Sequence, residues 1–239
     1  MNLLYLIRHG QAGLRDHYDC LSPLGRRQSR LLGAWLARQD VRFDAVWTGA
    51  LTRQKETADL VLAALAGSGS PAPQPLEDRR WNEFDLDAVY AAFAPPLAAD
   101  DPLFRHYYES LQQALASGQG EIHRRWTEAD SGVVNAWIHA RYPFAGESWA
   151  DFVQRVRAAA GTLLAAPAAG RRVAVFTSGT PIAIALSHVF PLDARHILQL
   201  SGASMNSNVT ILRANGARPA LACFNSVAHL DLPELRTFR

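Results

Sequence analysis

The sequence predicts an α/β fold, a three-layer sandwich with a mostly parallel central sheet and helices on both faces. Short apolar runs alternate with stretches whose apolar residues recur at helical spacing, which is typical of strands and helices that follow one another. The 239 residues are 49% hydrophobic and 19% charged, which gives enough apolar surface for a large core. Residues 86–145 break the alternation and predict a helical insertion, a lid or cap that covers the functional site. We therefore expect a single domain over residues 1–239.

The first strand, loop and helix are predicted at the N-terminus. Residues 2–7 form a short apolar run that is typical of a buried strand. Ser22 and Pro23 favour a helix start, with the serine as N-cap and the proline in the first turn. The strand carries Arg8 and His9 at its carboxyl end, where open α/β sheets place their ligand sites.

Two further units follow the same pattern. Residues 44–48 predict a second strand, Thr48 is the expected cap of the next helix, and residues 67–73 predict a loop. Ser148 is the expected cap of a third helix, which ends before Pro167.

The C-terminal part predicts the rest of the sheet. Residues 173–176 are typical of a strand, and a helix with Pro181 near its start follows them. Residues 208–213 and 219–224 flank the dipeptide Asn215-Gly216, which is suited to a hairpin turn. We expect the sheet to end in an antiparallel pair.

The insertion is expected to be helical because its apolar residues recur at helical spacing on two faces. The first face carries Phe104, Tyr107, Tyr108, Leu111 and Leu115, and the second carries Trp126, Val133, Trp137 and Ile138. The histidines of this segment are His106, His123 and His139. Packing is the preferred interpretation for each of them.

Charge and cysteine content exclude several function classes. The 24 Lys and Arg residues against 22 Asp and Glu give a net charge of +2, too small a bias for a nucleic-acid surface. Cys20 and Cys223 cannot form a disulfide framework, and the sequence contains neither a CxxC nor an HExxH metal motif. No apolar run approaches the ~20 residues of a membrane span or the core of a signal peptide. We expect a cytoplasmic protein without metal, cofactor, membrane or nucleic-acid partners.

The first strand ends in the motif LIRHG, residues 6–10, and further motifs follow it in order. They are LSPLG at 21–25 with Arg26 and Gln28, TGALTRQKETA at 48–58, WNEFD at 81–85, GESWADFVQRV at 146–156 and MNSNVTIL at 205–212. In these motifs the chain resembles the histidine phosphatase superfamily, also called phosphoglycerate mutase-like, over nearly its whole length. The RHG tripeptide alone is a weak signal, but the order of the other motifs argues against coincidence.

The resemblance implies that His9 is the nucleophile that becomes phosphorylated and that Arg8 and Arg53 hold the phosphate. A neutral imidazole can attack phosphorus when its other ring nitrogen is held as a donor, and a phosphohistidine divides one hard displacement into two easier ones. Two guanidinium groups can stabilise charge on the phosphoryl oxygens without a metal ion. Arg53 is expected in the first turn of a helix, where the helix dipole disfavours a cation unless an anion is bound.

The resemblance also implies that Glu83 is the proton donor to the leaving group. A neighbouring phosphate dianion would raise the pKa of such a carboxyl, as a general acid requires. Glu77, Asp78 and Asp85 are competing carboxyl groups nearby, and the position in the motif favours Glu83.

The chain departs from the family pattern at Ser178, where members usually carry a second histidine. The serine hydroxyl can still donate one hydrogen bond to phosphate, and the amides of Gly179 and Thr180 are expected to add to the anion site. Loss of the cation predicts reduced turnover with retained phosphate binding. Four explanations stay open: a subgroup adapted to serine, a histidine from elsewhere such as His17, His188 or one in the insertion, a binding protein with vestigial chemistry, or an engineered substitution.

These observations favour a metal-independent phosphatase that hydrolyses a small phosphomonoester through a phosphohistidine on His9. The alternative is a phosphate-metabolite binding or regulatory protein that has lost efficient transfer, and a mutase is less well supported. The expected partners are a small phosphorylated substrate or inorganic phosphate, and a homodimer is left open. Ser178→His is expected to raise turnover if the missing cation is the only defect.

Overall fold

A computed structural model describes residues 1–69, 73–118, 122, 124–167, 170–214 and 218–239. Within these residues the strands are β1 (Asn2–Arg8), β2 (Ala45–Thr48), β3 (Leu76–Glu77), β4 (Arg172–Thr177), β5 (Val209–Ala214) and β6 (Ala220–Ser226). They form one sheet in the order β3-β2-β4-β1-β5-β6. The predicted α/β class is confirmed.

The sheet is parallel from β3 to β1 and antiparallel beyond it. Strand β4 pairs in parallel with both β1 and β2, and β2 pairs in parallel with β3. Strands β5 and β6 form the expected antiparallel pair, and β5 is antiparallel to β1. The predicted turn at Asn215-Gly216 lies outside the described residues. The β1 register places Arg8 opposite Thr177, so the carboxyl ends of β1 and β4 meet at one edge of the sheet.

Helices connect most of these strands. The described α-helices are α1 (Pro23–Arg38), α2 (Thr52–Gly67), α3 (Leu86–Asp100), α4 (Pro102–Ala116), α5 (Glu128–Ile138), α6 (Trp149–Leu164), α7 (Gly179–Ala185) and α8 (Ala194–Ala203). Strand β3 and helix α8 were not among the predicted elements. Strand β3 has only two residues, too few to show an alternating pattern, and α8 buries only Ile197.

Two of the expected helix caps form and one does not. Ser22 Oγ accepts a hydrogen bond from Gly25 N, and Ser148 Oγ accepts one from Asp151 N. The prediction for Thr48 is wrong, because its hydroxyl donates to the Gly49 carbonyl and α2 begins only at Thr52. The carboxylate that accepts from the first amides of α2 comes from Asp19, in a distant loop.

The core lies on both faces of the sheet. On one face, Tyr5, Ile7 and Phe176 pack with apolar side chains of α1 and α2 in one buried cluster. Side chains alternate along a strand, so Leu6 and Val175 point to the opposite face, where they are also fully buried. The sheet is therefore covered on both sides, as a three-layer sandwich requires.

Residues Phe84–Gln154 form a compact unit separate from the rest of the chain. Its helices α3, α4 and α5 pack against one another, and aromatic rings such as Phe93 and Phe144 meet edge to face. Pro95 and Pro96 both lie inside α3. The predicted insertion, residues 86–145, falls within this unit, and its role as a lid stays a prediction.

The histidines of this unit have structural surroundings. His139 Nδ1 lies 2.9 Å from the Asn135 carbonyl at the end of α5, and His106 is exposed on α4. His123 lies outside the described residues. Among the helices that the structure describes, none combines the length and the apolar character needed to cross a bilayer.

The contact between the loop after β1 and α1 generates a prediction. A Cβ at Gly25 would lie 2.1 Å from the Gln11 carbonyl oxygen, a backbone atom that cannot move aside cheaply. We expect Gly25→Ala to lower the free energy of unfolding by at least about 2 kcal/mol. In Gly202→Ala the new methyl meets no atom within 4 Å, so this helical control should gain up to about 1 kcal/mol. Urea unfolding measures both values, and equal effects would contradict the steric argument.

Candidate active site

His9 lies directly after β1 and is almost fully buried. Its backbone N–H donates to the Thr177 carbonyl, and its carbonyl accepts from Ser207 N. The residue is thus held on one side by the end of β4 and on the other by the segment before β5. These backbone bonds fix the position of the imidazole at the carboxyl edge of the sheet.

The two ring nitrogens of His9 have different partners. Nδ1 lies 2.7 Å from the Gly10 carbonyl, which can only accept, so Nδ1 carries the proton. Nε2 accepts a hydrogen bond from Arg53 Nε at 3.3 Å. Burial, followed by the charges of Arg53 and Arg8, holds the pKa of His9 well below its usual range, although the Gly10 carbonyl opposes this. The lowered pKa favours the neutral ring, in which the unprotonated nitrogen is Nε2.

Arg53 is fixed in the first turn of α2 by the loop after β1. Its Nη1 forms an ion pair with Asp19 Oδ1 at 2.9 Å, and the same carboxylate accepts from the amides of Thr52 and Arg53. The guanidinium also lies over the Tyr18 ring, 4.9 Å from its centroid. Asp19 therefore compensates both the helix N-terminus and the arginine charge.

Arg8 is a buried cation with one unused donor. Its Nη1 donates to the Ser204 carbonyl, and its Nε has no hydrogen-bond partner among the described residues. Burial lowers the pKa of Arg8, and the neighbouring Tyr18 and Glu83 oppose this effect. A buried N–H without a partner is unfavourable, so a bound anion would compensate the Arg8 guanidinium.

Glu83 reaches the same edge of the sheet. Its Oε2 accepts a hydrogen bond from Thr180 N at 3.3 Å, so this predicted anion-binding amide is engaged by a carboxylate. The competing carboxyl groups have other contacts: Glu77 pairs with Lys55, Asp78 with Arg80, and Asp85 caps α3 through Ala88 N. The Glu83 charge also acts on Arg8, where it opposes the lowering of the arginine pKa by burial.

Ser178 and Gly179 follow β4 beside Arg8. Ser178 Oγ accepts a hydrogen bond from Gln54 Nε2 at 2.9 Å. A Cβ at Gly179 would lie 3.6 Å from Arg8 Nε, so this backbone closely approaches the guanidinium. Of the two other histidines named from the sequence, His188 contacts the Arg157 carbonyl and His17 is exposed. Neither of these described residues hydrogen-bonds to His9.

Sequence reasoning missed several residues that shape the site. Asp19 and Tyr18 lie in a polar loop whose sequence has no helical or strand periodicity. Gln54 and Thr57 lie on a helix that the sequence predicts only from its apolar residues. Arg239 also lies over the Tyr18 ring, with Cζ 5.4 Å from the ring centroid. No sequence signal distinguished these residues from other surface or helix positions. Among the described residues, no group of three or more His, Cys, Asp or Glu is arranged to hold a metal ion.

Comparison with known families agrees with this geometry. The family model described as histidine phosphatase superfamily (branch 1) matches residues 4–121 and 115–227. The chain belongs to the histidine phosphatase superfamily. Serine/threonine-protein phosphatase Pgam5, mitochondrial, of Caenorhabditis elegans is 33% identical over 157 residues, covering 61% of this chain and 52% of the relative. The chain spans about half the length of the curated relatives it matches first.

Solved structures show that the histidine phosphatase fold extends over the chain. YhfR of Bacillus stearothermophilus is 21% identical with a TM-score of 0.63, and the match covers 97% of this chain and 100% of that one. A mycobacterial glucosyl-3-phosphoglycerate phosphatase, solved with inorganic phosphate, is 22% identical with a TM-score of 0.60. That match covers 96% of this chain and 99% of the phosphatase. At these identities the likeness establishes the fold.

A second buried histidine supports the segment that contacts His9. Ser207 has a positive φ of 55° and places its Oγ 2.8 Å from His229 Nε2. Burial lowers the pKa of His229 from the ordinary 6.5 to about 4. The folded protein therefore keeps this imidazole neutral over a pH range in which the unfolded chain protonates it.

This difference predicts how stability depends on pH. As the pH falls from 6.5 to about 4, the unfolded chain binds a proton at His229 that the folded protein does not, so stability decreases. The expected loss from this residue is about 3 kcal/mol. His229→Gln keeps a partner for Ser207 without titrating, so its unfolding free energy should fall less steeply over this range. Urea titrations at several pH values measure the two slopes, and parallel slopes would contradict the assignment.

Proposed function

We propose that the chain is a metal-independent phosphatase that hydrolyses a small phosphomonoester through a phosphohistidine on His9. The observation that carries the proposal is the neutral His9 ring, whose unprotonated Nε2 faces Arg53 while Nδ1 donates to the Gly10 carbonyl. The buried Arg8 guanidinium has a donor that an anion would occupy. Membership of the superfamily and phosphatases among the relatives support the reaction class.

The proposed reaction has two displacements. In the first, the Nε2 lone pair forms a bond to phosphorus, the ester P–O bond breaks, and the leaving oxygen takes a proton from Glu83. In the second, water attacks the phosphohistidine, Glu83 takes back a proton, and the P–N bond breaks to release phosphate. Arg8 and Arg53 stabilise the phosphoryl oxygens in both steps through charge-assisted hydrogen bonds.

The second candidate is a protein that binds a phosphorylated metabolite with little or no turnover. Ser178 is the observation that favours it, because a neutral hydroxyl occupies a position beside Arg8 where an imidazolium would supply a further charge. Phosphate affinity depends mainly on the two arginines and would survive, whereas transition-state stabilisation would fall.

The first experiment looks for the covalent intermediate. After brief exposure to p-nitrophenyl phosphate, we expect an acid-labile adduct of about +80 Da on the wild type, together with phosphate release. Both should be absent in His9→Ala, because this variant lacks the proposed nucleophile. His188→Ala serves as a matched control and should keep both signals, since this ring contacts the Arg157 carbonyl.

The outcome separates the two candidates. If neither adduct nor turnover is found, while inorganic phosphate still raises the thermal midpoint through binding linkage, the phosphatase proposal is wrong and the binding protein is supported. An adduct that persists in His9→Ala would remove His9 from its proposed role.

The role of Glu83 predicts a dependence on the leaving group. Glu83→Gln cannot donate a proton, so hydrolysis of an alkyl phosphate should slow by about 10²- to 10⁴-fold. Nitrophenolate leaves without full protonation, so p-nitrophenyl phosphate should be affected much less. Asp85→Asn keeps the cap of α3 and should retain activity on both substrates. An equal loss on both esters in Glu83→Gln would exclude Glu83 as the general acid.

A further inference from the structure

Gln54 is a buried polar residue that the proposed reaction does not use. It is fully buried in the first turn of α2, next to Arg53 in the chain. Its Nε2 donates to Ser178 Oγ at 2.9 Å and lies 3.3 Å from the Trp81 carbonyl. Because a carbonyl can only accept, the Trp81 contact fixes which end of the amide is the nitrogen.

The oxygen of the Gln54 amide lies in a confined position that is unfavourable for stability. Gln54 Oε1 is buried without a hydrogen-bond partner among the residues that the structure describes. A Cβ at Gly49 would lie 2.0 Å from this oxygen, so only a glycine at this position leaves room for the amide. A buried acceptor without a partner is unfavourable, and an apolar side chain of the same length would avoid it. Stability alone therefore does not account for glutamine at this position.

The contact with Gln54 decides what Ser178 can do. Since its Oγ accepts from Nε2, the hydroxyl hydrogen must point in another direction, and it donates to none of the described residues. The neighbouring Thr177 carbonyl accepts from His9 N, and the other neighbour, Gly179, approaches Arg8 Nε. Ser178 is therefore flanked in the chain by one residue that contacts the proposed nucleophile and one that approaches its proposed phosphate-binding arginine.

We propose that Gln54 is a positioning residue that fixes the Ser178 hydroxyl as a hydrogen-bond donor to the phosphoryl group on His9. The two side chains act as one neutral unit, in which the amide takes a lone pair of the hydroxyl and leaves its hydrogen for the phosphoryl oxygen. This inference rests on the proposed phosphatase function for its effect on turnover, and it extends to phosphate binding in the absence of turnover.

The same contact changes the expectation for an introduced histidine. A histidine in the rotamer of Ser178 would place its ring at the present position of the serine Oγ. This position lies only 2.9 Å from Gln54 Nε2. Ser178→His alone should therefore lower turnover, because the ring and the amide cannot share this space. In the double variant Gln54→Ala, Ser178→His the space is available, and turnover should exceed that of Ser178→His by about 10-fold or more.

A double-mutant cycle tests the positioning role. Ser178→Ala removes a preorganised donor and should lower kcat for p-nitrophenyl phosphate by about 10²-fold. Gln54→Met keeps the length of the side chain but frees the hydroxyl, so a loss of about 10-fold is expected. Gln54→Glu should lose more than Gln54→Met, because the carboxylate accepts the hydroxyl hydrogen. In the Ser178→Ala background, Gln54→Met should cause no further loss of kcat.

Gln28→Met supplies a matched control for the removal of a buried amide. Gln28 is also fully buried, and its Nε2 donates to the Leu235 carbonyl at 2.7 Å, away from Ser178. Whatever its effect on kcat, that effect should be the same with Ser178 and with alanine at 178. Thermal midpoints of all variants are measured in parallel, so that unfolding is separated from loss of positioning.

The dissociation constant of inorganic phosphate, measured by calorimetry through the same cycle, is the second readout. If the wild type forms no adduct, the phosphatase proposal fails, and non-additive losses of phosphate affinity still support the pairing of Gln54 with Ser178. If the wild type forms the adduct but Gln54→Met has the same effect on kcat with and without Ser178, the positioning role is overturned and the phosphatase proposal stands. Additive effects on both kcat and the dissociation constant of phosphate overturn the positioning role of Gln54, whether or not the adduct forms.

Discussion

The hydrogen bond between His9 Nδ1 and the Gly10 carbonyl determines which ring nitrogen is available for chemistry. The peptide that carries this carbonyl is held because Gln11 N donates to Gln28 Oε1 on α1, and the preceding peptide is held because Gly10 N donates to Thr57 Oγ1 on α2. Both helices that pack on one face of the sheet therefore fix the peptide that orients the imidazole.

Two buried arginines lie near His9, and their charges are compensated differently. Arg53 is compensated by the carboxylate of Asp19, whereas Arg8 donates to the Ser204 carbonyl and retains an unused N–H. Burial, followed by these two charges, holds the pKa of His9 well below its usual range. In the proposed reaction, the two arginine charges that help to lower the pKa of His9 would also bind the phosphoryl oxygens.

Much of this arrangement could be predicted from the sequence. The motif at residues 6–10 placed Arg8 and His9 at the carboxyl end of the first strand, and the cap at Ser22 gave the start of α1 correctly. The partners that orient these groups carried no such signal. Asp19 reaches α2 from an irregular loop, so proximity to Arg53 depends on tertiary structure, and the local alternative of a cap at Thr48 was wrong. Gln54 faces β4 only because α2 packs on the sheet, which no local pattern specifies.

The contact between Gln54 and Ser178 joins positions that are 124 residues apart in the chain. On the proposed positioning role, an imidazole at 178 would need the space of the amide, and loss of the amide alone would leave the hydroxyl without its orienting partner. Neither exchange is then favourable by itself, and we expect the two positions to be epistatic. A change from serine to histidine at position 178 would therefore require a second change at position 54, on the other side of the contact.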